Sequence, residues 1–330
     1  MGNSGVATVN SSAASYYNPS LLRQRPDNSF SLTGNTLGTS TARQDGSNVS
    51  SSMAFGPSFL STILVGTNLV HELFLATTMQ GQFTWLSEPN AVRSFDGDIN
   101  VNRVVSGYSM AFKAIPLALQ VLTRYTEVKS FLVSEYSDTA TGMESATKTR
   151  TEFKNLNVAL GISTHFQFDH YTLGINFNTR GIGLYNLNKG SSRSYIHTPS
   201  GYTVRDSDLG SAVVTNEEGK LIIGHGFRLG DHELLTDSTF FEQSGNLDRY
   251  QFTQSFGYRY GPQEGHQVLC GVAHAFGSDV DYFGQSFITS VGYSWKSRTL
   301  RSAIGLYYSR QNTNVESSNL GFLFGGEYEY

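Results

Sequence analysis

Of the 330 residues, those best suited to catalysis or metal binding are eight histidines, one cysteine and a serine paired with a histidine. Ser163 and His165 alternate on one face of a segment, a pairing that elsewhere activates a hydroxyl nucleophile. That face is the polar one, whereas a hydrolase acting on membrane lipid needs both groups turned toward the lipid. His266 and His274 share a segment but lie too far apart for one ion. Cys270 has no second cysteine to pair with. No glycine-rich phosphate loop follows a strand and opens a helix. Neither catalysis, a cofactor nor a metal is expected.

A second set is charged. Arg103, Arg124, Arg180, Arg249, Arg259 and Arg301 fall on the polar faces of alternating segments, with Glu327 and Glu329 on the last of them. Arginines ringed around a pore favour anions. Internal salt bridges between these arginines and carboxylates inside the fold are the favoured reading.

The segments that carry these residues share one pattern. From Tyr250 to Tyr260 aromatic residues occupy nearly every even position, and polar residues or glycine every odd one. Leu156, Val158, Leu160, Ile162, Thr164 and Phe166 likewise oppose Asn155, Asn157, Ala159, Gly161, Ser163 and His165. Tyr171, Leu173, Ile175 and Phe177 follow, and Phe287, Val291, Tyr293 and Trp295 repeat the theme. Alternation with period two is a strand with one greasy and one wet face. A tilted strand crosses the hydrocarbon layer in about 9 to 11 residues, which these segments supply. No apolar run approaches the roughly 18 residues of a membrane helix. The expected fold is all-β, a transmembrane antiparallel up-and-down β-barrel. With 23 basic and 27 acidic residues, the chain has no electrostatic footprint for nucleic acid.

Short and longer connections alternate along the chain, as they do in bacterial barrels. Short turns fall near 66–68, 115–116, 168–170, 230–231, 261–265 and 296–298. The count from about Asn28 to Tyr330 is roughly fourteen strands, with both ends on the periplasmic side. The stretch 187–219 is read as one external excursion, and a hairpin hidden there would make sixteen. Phe322, Phe324, Tyr328 and Tyr330 share a face of the last strand, with Gly325 among them. Gly325, Tyr328 and Tyr330 resemble the C-terminal signal by which barrel insertion machinery recognises outer-membrane proteins. Met1 to Ser4 show no export signal, so the chain is read as a mature form of a Gram-negative outer-membrane protein whose leader has been removed.

The N-terminus is more specific. Residues 5 to 22 are small and polar and lead into Tyr17, Asn18, Pro19 and Ser20. This resembles the opening of the FadL and TodX type of outer-membrane transporters for long-chain fatty acids and hydrocarbons, in which a small-residue segment leads to Tyr-Asn-Pro-Ala. The resemblance implies a fourteen-stranded barrel over residues 28–330 and a plug, or hatch, folded into the lumen over residues 1–27. It also gives a meaning to Gly56 and Pro57. Proline cannot donate to the strand ladder, so the wall should bulge or kink there, and in the family such a kink opens a lateral passage. A simple bulge near the rim is the favoured reading of these two residues. The expected function is passage of small hydrophobic or amphipathic solutes. Two other readings stand beside it, a structural or envelope-interaction protein, as a homo-oligomer contacting ordered lipid, and an unspecific diffusion porin. The expected partners are outer-membrane lipids, the insertion machinery and further copies of the chain.

Overall fold

The computed structural model describes residues 14–44, 47–51, 59–86, 93–138, 141–208, 219–241, 251–262, 265–277, 285–312 and 316–330. One helical turn, α1 (Ala14–Tyr17), and a 3-10 helix over Pro19–Gln24 precede the strands. These are β1 (Ser29–Gln44), β2 (Ser47–Ser51), β3 (Phe59–Val65), β4 (Leu69–Leu86), β5 (Arg93–Phe112) and β6 (Leu117–Asp138). Next come β7 (Met143–Gln167), β8 (Tyr171–Asn178), β9 (Ile182–Thr198), β10 (Gly201–Asp208), β11 (Lys220–Leu229) and β12 (His232–Phe241). The chain ends with β13 (Gln251–Tyr260), β14 (His266–Gly277), β15 (Gln285–Ser297), β16 (Leu300–Asn312) and β17 (Glu316–Glu329).

Every ladder is antiparallel, and the sheet closes on itself. β1 meets β17 from Ser29 opposite Glu329 to Arg43 opposite Glu316, so neither terminal strand is left as an open edge. β2 and β3 pair with the far and near halves of β1 and act as one wall strand. β8 and β9 share β7 in the same way. The wall therefore has fourteen strands.

The long excursion does contain a hairpin, β9 with β10. It adds no strand to the wall, because β11 pairs directly with β8 from Lys220 opposite Asn178 to Phe227 opposite Tyr171. β9 instead continues β8 along the upper half of β7. The polar stretch 137–149 is also largely strand, since β6 and β7 stay paired up to Asp138 opposite Met143.

Outward positions carry the apolar residues because lipid is their solvent. Leu160 is 57 % exposed while its neighbour Ala159 is 1 % exposed. Near the long loops, Phe240, Phe252 and Phe276 meet at tilted angles across β12, β13 and β14 with centroids 4.9 and 4.8 Å apart. Near the short turns, His232, His266, Tyr258, Tyr293 and Trp295 hold the other edge of the band. At about 3.3 Å per residue and a tilt of about 40°, His232 to Phe240 and His266 to Phe276 span roughly 20–25 Å, the height of a barrel's apolar band. Past the band on β6 and β7 the outward side chains become charged. Lys129 binds Glu127 at 2.8 Å, and Lys154 binds Glu152 at 2.8 Å and Glu127 at 3.6 Å.

Candidate functional site

The lumen holds the N-terminal segment, and its attachment is built from the Tyr-Asn-Pro-Ser sequence. Asn18 has extended backbone and caps the 3-10 helix, with Pro19 next to it. Proline suits the first helical position because its missing N–H would be unpaired there anyway. The Ser20 amide donates to Asn18 Oδ1 at 3.2 Å, and the Ser20 hydroxyl donates to the same oxygen at 2.6 Å. The cap is then tied to the wall. Asn18 Nδ2 donates to the Thr164 carbonyl at 3.2 Å, the Ser20 amide also reaches Ser163 Oγ at 3.0 Å, and Asn176 Nδ2 donates to the Tyr17 carbonyl at 2.5 Å. Both Asn18 and Ser20 are fully buried, so these bonds satisfy groups that would otherwise be costly.

Further along, Gln24 Nε2 meets His165 Nδ1 at 2.9 Å, and Arg25 pairs with Glu327 on β17 at 2.8 Å. The Val65 amide donates to Asn28 Oδ1 at 2.7 Å where the segment joins the wall. Ser163 and His165, the serine and histidine of the sequence, thus both hold the N-terminal segment. A nucleophile and base need to bond each other; here each bonds a different residue of that segment.

Two apolar clusters line the same side. Leu22 packs with Ile63, Val70, Ala111 and Ala118. Above it, Phe59, Phe74, Val105, Leu122 and Ala159 form a patch that Tyr16 covers. The Tyr16 ring meets Phe74 edge-on at 5.7 Å, and Phe59 stacks on Phe74 at 5.7 Å. Gly107 makes room for that ring, since a Cβ there would sit 2.2 Å from Phe74 Cζ. The Lys220 ammonium lies over the Tyr16 ring, 5.3 Å from its centroid.

The arginines do not form one ring. Arg124 is buried on the inner face of β6 opposite Asn157, and Arg103 lies higher on β5 and is exposed. Arg180 sits in the break between β8 and β9. Arg259 pairs with Glu233 at 2.5 Å, and Arg301 stands opposite Glu327 in the ladder. Gly56, Pro57 and Arg249 lie outside the described residues. On the last strand, Tyr328 and Tyr330 face outward with rings stacked at 6.2 Å, and Gly325 opposes Thr33 in the closing ladder.

The inward aromatic patch was not legible in the sequence. β4 reads Leu-Val-His-Glu-Leu-Phe-Leu-Ala, apolar on both faces, so parity alone does not say that Phe74 points inward.

No protein-family model matches the chain, and no curated protein matches it in sequence. Solved structures do match it. The toluene transporter TodX of Pseudomonas putida superposes with a TM-score of 0.67 at 13 % identity, over 100 % of this chain and 96 % of that one. A FadL homologue of Pseudomonas aeruginosa gives 0.67 at 13 % identity, over 99 % and 96 %. The toluene transporter TbuX of Ralstonia pickettii gives 0.65 at 10 % identity, over 100 % and 96 %. Along its whole length, this chain has the fold of the FadL and TodX type barrels.

Proposed function

We propose that the protein is an outer-membrane channel for small hydrophobic or amphipathic solutes, with residues 1–27 acting as its plug. One observation carries the reading. An apolar, aromatic patch lies inside the barrel, where a water-filled pore would present polar side chains, and a residue of the N-terminal segment covers it. The fold is shared with proteins described as toluene transporters and as a FadL homologue, which supports the solute class. The bonds from Asn18, Ser20, Gln24 and Arg25 to two wall strands, β7 and β17, support a segment that occupies the lumen rather than trailing from it.

The reading is tested in planar bilayers and in cells. Intact protein should show no steady conductance, and a variant lacking residues 1–27 should open. Cells lacking their own hydrocarbon channels should take up toluene faster when they make the protein, and Phe74→Asp should remove the gain. Steady conductance of the intact protein would point to a diffusion porin, and silence without uptake to a structural role.

A further inference from the structure

The short-turn edge of the apolar band carries a repeated side-chain pair. His71 Nδ1 and the Tyr108 hydroxyl share a hydrogen bond of 2.7 Å, His225 and Tyr171 one of 2.7 Å, His232 and Tyr258 one of 2.6 Å, and His266 and Tyr293 one of 2.5 Å. In each case the two rings also lie against each other, with centroids between 5.7 and 6.1 Å apart. Every pair is diagonal. The phenol stands two residues along from the position opposite the histidine in the ladder. Each also bridges strands that no short turn joins, namely β4 with β5, β8 with β11, β12 with β13 and β14 with β15.

All four pairs face outward, on the same strand faces as Leu73, Phe227, Leu234 and Val268, each of which is exposed. His232 and His266 stand a full band height from the phenylalanine row on β12 to β14, Tyr171 directly follows the 168–170 turn, and His71 lies three residues past the 66–68 turn. This places them where hydrocarbon gives way to headgroups. Aromatic residues alone suit that depth. Imidazole adds a second nitrogen with directional hydrogen bonding.

With the phenol donating to Nδ1, the neutral ring carries its proton on Nε2. No protein atom among the described residues bonds Nε2 in these four rings. In that tautomer Nε2 is a donor held at a fixed angle by its tyrosine. We propose that these four imidazole-phenol pairs are docking sites for the phosphodiester headgroups of glycerophospholipids in the leaflet at the short-turn side. Phosphodiester oxygens are strong acceptors, and a ring already oriented by a phenol loses little freedom on binding them. The pairs are independent of the lumen, so this proposal stands or falls apart from solute passage.

The test uses intact protein in maltoside micelles with phosphatidylethanolamine and phosphatidylglycerol, against dioleoylglycerol, which lacks the phosphate. Native mass spectrometry counts the retained lipids. Phospholipid should be preferred by at least about ten-fold, the scale of one hydrogen bond to a charged acceptor. Replacing His71, His225, His232 and His266 together by Phe keeps the aromatic rings and should abolish the preference. His274→Phe, near the opposite edge of the band, should leave it intact. A heat-dependent gel shift confirms that the variants are folded. If the fourfold variant does not insert, the single variants serve, each losing one retained phospholipid. Equal retention of lipid with and without phosphate, or an unchanged preference in the folded variants, overturns the proposal. Displacement of the lipid by millimolar inorganic phosphate reassigns the sites to free anion and overturns it as well.

Discussion

The inner faces of β3–β7 and of β13–β17 belong to one closed sheet, yet they are filled differently. The first carries Phe59, Phe74, Leu122, Asn157 and His165, all buried, with Tyr16 packed on the aromatic cluster and Gln24 bonded to His165. The second carries Gly257, Gly271, Ala273, Gly292, Ala303 and Gly305 along its ladders. The outer faces of the two regions are alike in being apolar across the band. Lipid imposes the same demand everywhere on the outside, so only the inside is free to differ. The difference therefore marks where this chain specialises.

Substitutions that break the filled half should cost most. Phe74→Ala removes the centre of the patch and should lower unfolding stability by about 3–5 kcal/mol, read as a shift of the urea midpoint in vesicles. Leu323→Ala on the other inner face, 37 % exposed in the folded state, should cost under about 1 kcal/mol in the same assay. Equal losses would abolish the distinction. Arg25→Met leaves Glu327 buried without this partner and should cost about 3 kcal/mol, with Glu327→Gln in the same chain recovering most of it. Asn18→Ala removes the helix cap and should cost about 1–2 kcal/mol in the same assay.

The smallest effect lies on the β9–β10 hairpin, outside both halves. Arg193 bonds Asp206 through two nitrogens, at 2.6 and 2.9 Å. This holds the Asp206 carboxyl below the usual carboxylate range. A carboxyl depressed in the folded state stabilises above its unfolded value and loses that contribution as pH falls through the folded one. Both groups are exposed, so the contribution is screened. Stability should thus be flat from neutral pH down to the ordinary carboxylate range. A carboxyl-detected NMR titration should place Asp206 below about 3.9, and Arg193→Gln should restore the ordinary value.

Much of the barrel could be read from the residues. Strands that face lipid on one side and the lumen on the other, such as β13, print the alternation directly. The Tyr17 to Ser20 sequence is legible for a related reason, since Asn-Pro-Ser is a helix cap before it is anything else. The β9–β10 hairpin is harder, because it lies beyond the band, where water on both faces leaves little apolar pattern to print. The histidine-tyrosine pairs are hidden differently. Their partners lie far apart in the chain and meet only on a ladder diagonal, which no single strand reveals. Phe74 is obscured by its own apolar neighbours, and the register that turns it inward is fixed by pairing with β5.

The closing ladder between β1 and β17 has a kinetic meaning. Its partners lie at opposite ends of the sequence, so the contact that completes the wall carries the largest loop-closure entropy in the fold and should form late. Glu327, the anchor for Arg25, arrives only with that last strand. The Arg25 mooring therefore waits for the last strand, whereas the bonds of Asn18, Ser20 and Gln24 to β7 do not.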